Sequence, residues 1–455
     1  MKINKLYPHL IRNEQISGWG NTNKIEAKII KPQNIKQIQN IVKNSNEHSL
    51  ITRGLGRSYG DAAQLKAQTI VDLNHFKSYK LYPRTKEVAA GSGLTFSELL
   101  QKIVQKGFFL PVAPGTKNIT VGGAVASDVH GKNHHSDGSF GNHVKGITLI
   151  DGKGNIQYLS KTKNPNLFWA TIGGMGLTGI IIEVTFSLIR INTSLISVDT
   201  QKHKDIDSLM ASMIEADKKY KYSVAWIDCF CAKGRGILTC GEHLDLRNLE
   251  KKKIDNHLSY KNNSFAKVPQ SIPNGILNQF TGRAFNEAWF RKTPNLLEQE
   301  PQTIGQYFYP LDGIDNWNNI YGSKGFIQYQ FVIPDQSSGL LKKILDILRK
   351  NSVTSFLTVL KRFGDSNLAP ISFPQKGWTL AIDIPSNVSN IFEILDNLDE
   401  LVASANGKIY LSKDSRMSAQ IFKSTYSRYR EWREVKDYAD PKNIFYSDLA
   451  QRLQI

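Results

Sequence analysis

Two glycine-dense blocks constrain this chain more than any other feature. The first reads Arg53-Gly54-Leu55-Gly56-Arg57-Ser58-Tyr59-Gly60-Asp61-Ala62 and follows a strand-like segment. The second reads Pro114-Gly115-Thr116-Lys117-Asn118-Ile119-Thr120-Val121-Gly122-Gly123-Ala124-Val125-Ala126-Ser127-Asp128-Val129-His130-Gly131. Glycine lacks Cβ, so neighbouring backbone N–H groups can converge on a ligand at close range. Converging N–H groups form a nest for an anion such as a pyrophosphate. Arg53 and Arg57 add positive charge beside the first nest, and threonine and serine hydroxyls add donors in the second. Two such blocks fit a dinucleotide whose diphosphate is held from both sides. The bare alternative is a pair of tight turns with no ligand. A nicotinamide-binding turn fits less well: the first block is spaced Gly-x-Gly-x-x-x-Gly, no long helix plainly follows, and the second block would be unexplained.

The chain has 455 residues, enough for two or three domain-sized units. Hydrophobic residues make up 40% and charged residues 22%, which excludes wholesale disorder. Lysine and arginine outnumber aspartate and glutamate 58 to 40, a net charge of +18. Such a field attracts polyanions: nucleic acid, anionic lipid headgroups or phosphorylated substrates. Its plain alternative is a solubilising surface. A nucleic-acid-binding role leaves both glycine blocks idle, so no nucleic-acid partner is expected. Cys229, Cys231 and Cys240 lie within twelve residues, too few for a disulfide framework and one ligand short of a usual zinc site. Buried thiols are expected. The N-terminal stretch has no apolar signal region, and the uncharged run 167–182 is broken by Gly173, Gly174, Gly176 and Gly179. A soluble cytoplasmic protein, at most peripheral to the inner membrane, is expected.

Helical and strand-like segments alternate over the first 190 residues. Apolar spacing predicts helices at 34–46 and 97–107, strands after 48 and at 180–189, and a hairpin over 146–160 around Asp151-Gly152. The texture changes near 192 to strands mixed with helices, the pattern of an α+β domain on an antiparallel sheet. The segment 245–300, rich in Lys, Asn, Ser and Pro and carrying Lys251-Lys252-Lys253, reads as a functional lid or a disordered insert. Phe285, Trp289 and Phe290 within it would face a membrane. The last segment reads as helical with a break at Pro441, and Tyr429, Trp432 and Val435 form an apolar packing stripe. His130, His134, His135 and His143 cluster, but Gly131 and Asn133 argue against the helix that a His-x-x-x-His metal pair needs. Gln328 and Gln330, two apart on a strand, point to one face.

Seven strings carry a resemblance that spans most of the chain: RGLGRSYGDAA (53–63), HGKNHHSDGSFGNHV (130–144), LFWATIGGMGLTGII (167–181), FIQYQFVIP (326–334), VLKRFG (359–364), SFPQKGW (372–378) and KDSR (413–416). Together they resemble flavoprotein oxidases of the vanillyl-alcohol-oxidase type, and within them the decaprenylphosphoryl-β-D-ribose 2-oxidases. The resemblance implies an α+β, two-lobed FAD-binding fold with an antiparallel-sheet substrate domain. It divides the chain into an FAD-binding domain (1–191), a substrate-binding cap (192–407) and a C-terminal segment returning to the first domain (408–455).

FAD contacts are implied for Thr52 through Ala62 and for Gly115, Thr116, Thr120, Val121, Gly122 and Gly123. They are also implied for Ser127, Asp128, Val129, His130, Gly131, Ile181 and Tyr410. Relatives that attach flavin covalently often carry a histidine where this chain has Arg57, so non-covalent FAD is expected. Lys413 would orient the substrate hydroxyl and support negative charge developing on the flavin, with a surface lysine paired to Asp414 as its plain alternative. His130 would lie against the flavin, and Tyr59 would belong to a proton path. The general base is His130, Lys413 or a water, with His130 favoured as a neutral group. Lys132, Trp226, Gln328, Gln330, Lys361 and Lys413 would line the substrate pocket. Two positions depart from the family: Ala381 where a cysteine is often found, and Phe308 where a tyrosine is common.

The implied reaction is oxidation of a sugar secondary alcohol, at C2 of a polyprenylphosphoryl ribose. A separate short-chain reductase would complete the epimerisation to the arabinose donor of the cell envelope. The alternative on the same fold is oxidation of a soluble aldonolactone or alditol.

Overall fold

The computed structural model describes residues 7, 10–248, 256–270, 272–353 and 355–455. The Lys251–Lys253 run lies outside the described residues. Three large sheets organise the rest.

The first sheet has four strands in the order Ile11–Ser17, Lys24–Ile30, Thr69–Asp72, Leu50–Arg53. The last three run parallel, and Ile11–Ser17 adds an antiparallel edge. The helix Ile35–Lys43 starts at Asn34, whose side chain accepts from the Gln37 N–H, and buries Ile38, Ile41 and Val42. The strand Leu50–Arg53 then delivers the first glycine block at its C-terminal end.

The second sheet is antiparallel, in the order Tyr79–Tyr82, Glu87–Gly91, Ile180–Ser187, Val144–Ile150, Ile156–Leu159. The hairpin expected over 146–160 is present. Asp151 fixes its turn by accepting from the N–H groups of Lys153 and Asn155.

The third sheet has eight antiparallel strands, from Leu296–Thr303 at one edge to Lys408–Ile409 at the other. Side chains alternate across a strand with period two. In Phe326–Ile333 the odd-numbered Ile327, Tyr329, Phe331 and Ile333 join the core formed with the helices Ile206–Asp217, Leu340–Lys350 and Ile391–Ser404. The even-numbered Gln328 and Gln330 face the other way, where the chemistry lies.

The chain then returns to the first sheet. Leu50 accepts from Tyr446 N–H and donates to Ile444 O. Arg452 makes a two-pronged contact to Asp61 at 2.9 Å and reaches Asp414 at 2.8 Å. Trp432 is fully buried, with Tyr429 and Val435 packed beside it.

Two expectations need correction. The segment 245–300 is not uniformly irregular: it contains the helix Gln279–Lys292, and the strand Leu296–Thr303 pairs with Leu195–His203. Its helix was hidden because its buried face carries Gly282 and Asn286, the latter donating to Asp228, while its aromatic residues point outward. Of the cysteines, Cys229 and Cys240 are buried, and burial pushes both thiols up to about 12. Cys231 is only half-buried.

Candidate active site

The two glycine blocks meet. A methyl group at Gly54 would stand 2.3 Å from Thr120 Oγ1. Thr120 caps the helix Val121–Ala126, accepting from the Gly123 N–H at 3.2 Å, so Val121, Gly122 and Gly123 form its first turn. The first block also presses on the C-terminal segment. Tyr59 N–H donates to Ser412 O at 2.9 Å, and a methyl at Gly60 would stand 2.1 Å from Asp414 O. Both blocks and the segment bearing Lys413 therefore converge. Three buried polar atoms in this zone have no partner: Thr52 Oγ1, Arg57 Nε and His130 Nδ1. Unpaired buried donors and acceptors are costly, so a cradle holding several of them suits a polar ligand. FAD, with its diphosphate and its ring carbonyls and nitrogens, has the groups to meet them.

Not every residue expected at the cofactor is free to touch one. Arg53 spends its guanidinium on Ala63 O at 3.0 Å and Ser17 O at 2.6 Å, which shapes the loop instead of neutralising a phosphate. Asp61 is committed to Arg452. Asp128 accepts from Ser139, Ser372, Asn367 and Gly141 N–H, tying both halves of the chain together. Thr116 donates to Asp312 at 2.7 Å, whose other oxygen accepts from Lys117 N–H. Ile181 and Ala62 are buried, and Leu55 is exposed. Gly115 has open space where a side chain would be. Arg57 lies over the Trp19 ring at 3.9 Å.

Sheet register assembles the chemical face. Gln328 pairs with Asp383, and Gln330 with Ala381. Ala381 pairs with Val359, Val359 with Trp226, and Lys361 with Thr379. Directly opposed residues share a face, so Trp226, Lys361, Gln328, Gln330 and Asp383 line one surface. Ala381 sits in its middle. Gln328 donates to Tyr59 Oη at 3.2 Å and also bonds Asp383 Oδ1. Lys413 Nζ lies 3.9 Å from the centre of the Tyr59 ring. Gln330 Nε2 is 3.1 Å from His130 Nε2, and the His130 ring packs on Phe363. Tyr410 donates to Ser127 O at 3.0 Å and stacks on Phe373. His135 and His143 bond backbone carbonyls of Tyr220 and Asp137, away from this face. Phe308 is buried among Phe109 and Tyr222.

The face is electrically unusual. Burial lowers Lys413, nearby Asp383 raises it in part, and Lys361 lowers it further. Burial raises Asp383, opposed by the Gln328 hydrogen bond and Lys413. Lys361 is lowered by burial to about 8, and Lys132 to about 7 by burial and by Lys361. Among the described residues no carboxylate lies within 4.0 Å of Lys361 or Lys132. His130 is held well below its ordinary value by burial, then by Lys361, His134 and Lys413. It is a neutral hydrogen-bonding group and a weak base. Asp383 is a site residue that motif reading missed. Its signal was a single carboxylate inside the apolar run Trp378-Thr379-Leu380-Ala381-Ile382-Asp383, on the parity of Ala381.

A row of rings leads outward from this face. Tyr59 meets Phe326 at 5.3 Å, Phe326 stacks on Tyr321 at 4.1 Å, and Tyr321 on Phe356 at 5.8 Å. Phe356 meets Phe285 at 5.6 Å, which stacks with Trp289 at the surface. Trp226 Nε1 donates to Phe356 O at 3.0 Å, fixing the middle of the row.

Comparison with known proteins agrees with this geometry. Residues 27–160 match the model of the FAD binding domain. The chain is 35% identical over 97% of its length to decaprenylphosphoryl-beta-D-ribose oxidase of Mycolicibacterium smegmatis, covering 98% of that protein. The chain belongs to the decaprenylphosphoryl-β-D-ribose oxidase family. It is an FAD-dependent oxidoreductase with the α+β FAD-binding architecture of that family. It is also 30% identical over 79% of its length to an uncharacterised protein of Streptomyces coelicolor, covering all of it. A more distant likeness, 25% identity over 35% of the chain and 31% of the relative, links it to D-arabinono-1,4-lactone oxidase of Kluyveromyces lactis. Among the described residues no helix is long and apolar enough to cross a membrane.

Proposed function

We propose that this enzyme oxidises the C2 hydroxyl of a polyprenylphosphoryl ribose to the ketone, using non-covalently bound FAD. A separate short-chain reductase would then complete the inversion at C2. The carrying observation is a pair of part-buried cations without carboxylate partners, Lys132 and Lys361, on the same wall as Gln328, Gln330 and Lys413, Lys132 resting on the Tyr307 carbonyl. Buried ammonium groups without carboxylates are costly unless a ligand brings the counter-charge. A phosphodiester brings one, whereas a neutral sugar lactone does not.

Bound FAD supplies the two-electron acceptor for the C2 hydride. The hydroxyl proton needs a base whose affinity lies near the working pH. Lys413, made less basic by burial with the Asp383 carboxylate nearby, fits that need better than the weak base His130. In this reading Lys413 Nζ takes the hydroxyl proton, and Gln328 holds Tyr59 and Asp383 in register around it. Gln330 and Tyr410 fix His130 and the backbone of Ser127 at the second glycine block. Lys132, Lys361 and Trp226 contact the sugar phosphate and its apolar neighbour.

Anaerobic mixing tests this proposal. Farnesylphosphoryl ribose should bleach the flavin band, and ribose or an aldonolactone should leave it. Bleaching by the lactone but not by the prenylphosphoryl sugar would transfer the assignment to the lactone oxidases. Acid precipitation should leave the yellow colour in the supernatant; colour retained in the pellet would refute non-covalent attachment.

A further inference from the structure

We propose that the outer face of the helix Gln279–Lys292 is a docking surface for an anionic lipid bilayer. This rests on the reading that the sugar substrate is carried on a lipid, and it names the part of the protein that meets that lipid.

A globular helix normally buries its large apolar residues. This one does the reverse. Phe280 is 82% exposed, Phe285 48% and Trp289 46%, while Gly282 and Asn286 form the buried side. At 100° per residue, Ala284, Phe285, Ala288 and Trp289 fall on one stripe, and Ala284 and Ala288 are also exposed. Arg283, Arg291 and Lys292 stand against the single carboxylate of Glu287, which is already paired with Arg235 and Arg291. Large aromatic residues interleaved with cations are the composition of a helix lying at a membrane interface. The excess of positive charge selects anionic headgroups.

Position selects a bilayer over another acidic partner. Trp289 and Phe285 are the outer end of the ring row that runs through Phe356, Tyr321 and Phe326 to Tyr59. A lipid-linked sugar has its polar end in the site and its chain in the bilayer. The inner rings Tyr59, Phe326 and Tyr321 are buried and the outer pair Phe285 and Trp289 is exposed, so the row ties the outer helix to the site and sets the bilayer beside it.

The test uses the FAD-loaded full chain and co-sedimentation with vesicles of phosphatidylcholine alone or mixed with phosphatidylglycerol. Wild type should partition onto the mixed vesicles and far less onto the neutral ones. Phe280→Glu should lower the partition coefficient about tenfold or more, and Phe280→Trp should raise it. Phe280 is largely exposed, so both variants should keep the flavin band. Equal partitioning of wild type, Phe280→Glu and Phe280→Trp would overturn the assignment. So would binding to DNA or heparin without binding to the mixed vesicles. Flavin bleaching by soluble farnesylphosphoryl ribose, run beside it, keeps the two readings apart. If Phe280→Glu bleaches normally but no protein binds vesicles, the docking surface fails and the substrate assignment stands. If vesicles bind through Phe280 but no prenylphosphoryl sugar bleaches the flavin, the reverse holds.

Discussion

Replacing Gly54 with alanine tests whether the two glycine blocks act as one cradle. The added Cβ would lie 2.3 Å from Thr120 Oγ1 and 3.0 Å from Thr120 Cγ2. Ordinary contact needs roughly 1 Å more than the shorter of these, so one block must retreat. Overpacking of this kind costs about 1–3 kcal/mol. Retreat of Thr120 also weakens its cap on the helix Val121–Ala126, worth about 1 kcal/mol. If most of this falls on the bound state, FAD should bind about 10–100-fold more weakly, at about 1.4 kcal/mol per tenfold. Thr120→Ala alone loses the cap and should weaken binding by less than about tenfold. The double variant should bind FAD about as well as Thr120→Ala, because both atoms nearest the new methyl are gone. The assay is equilibrium titration of apoprotein with FAD by flavin fluorescence quenching, with thermal unfolding run alongside. Strict additivity of the two single effects would refute the claim that the blocks press on each other at the ligand.

Asp383→Asn removes the charge that raises Lys413, so the pKa of Lys413 should fall further. The acid limb of the anaerobic flavin-reduction rate should move to lower pH by about one unit, about 1.4 kcal/mol, and an unmoved limb would remove the lysine from the proton step. Lys361→Met should have opposite effects on stability and substrate affinity. The folded-state pKa of Lys361 is lowered from 10.5 to about 8, so its ammonium destabilises the fold increasingly as pH falls from 10.5 to about 8, and fully below that. At pH 7 the variant should therefore be more stable by at most about 3 kcal/mol, less whatever solvent screens a half-buried side chain. Its KM for the phosphorylated substrate should nevertheless rise about tenfold or more, since a buried charge pair is lost. A lower melting temperature with unchanged KM would show Lys361 to be a packing residue.

Individual elements were legible because they obey simple periods. Ile38, Ile41 and Val42 mark a helix by spacing, and Asp151-Gly152 marks a hairpin by turn chemistry. Gln328 and Gln330 were legible as one face because strand parity is fixed once the strand is recognised. Three features were not legible, each because a partner distant in sequence decides it. Arg53 looks like a phosphate ligand until Ala63 and Ser17 carbonyls claim its guanidinium. Asp383 gains meaning only when register sets it opposite Gln328 and the fold brings Lys413 near it. The helix Gln279–Lys292 defeats periodicity because Asn286 is held inward by Asp228, turning its aromatic face to the outside.

The basic excess of +18 is too large for the site alone to explain. Lys132, Lys361 and Lys413 account for the cations on the chemical face, and each is made less basic by its surroundings. A site that leaves Lys132 and Lys361 without carboxylates needs an anionic ligand to complete it. An outer helix that sets Arg283, Arg291 and Lys292 against the one carboxylate of Glu287 favours an anionic environment. One molecule class answers both demands: a sugar phosphate on a lipid tail, resident in an anionic bilayer. The row of rings from Tyr59 to Trp289 is where these two demands connect. The site and the outer helix should therefore respond differently to salt. Raising ionic strength should release the protein from mixed vesicles, because exposed charges are screened within about 10 Å at 0.1 M. It should change flavin bleaching by a soluble prenylphosphoryl sugar much less, because part-buried charges that hold the phosphate are screened less than exposed ones.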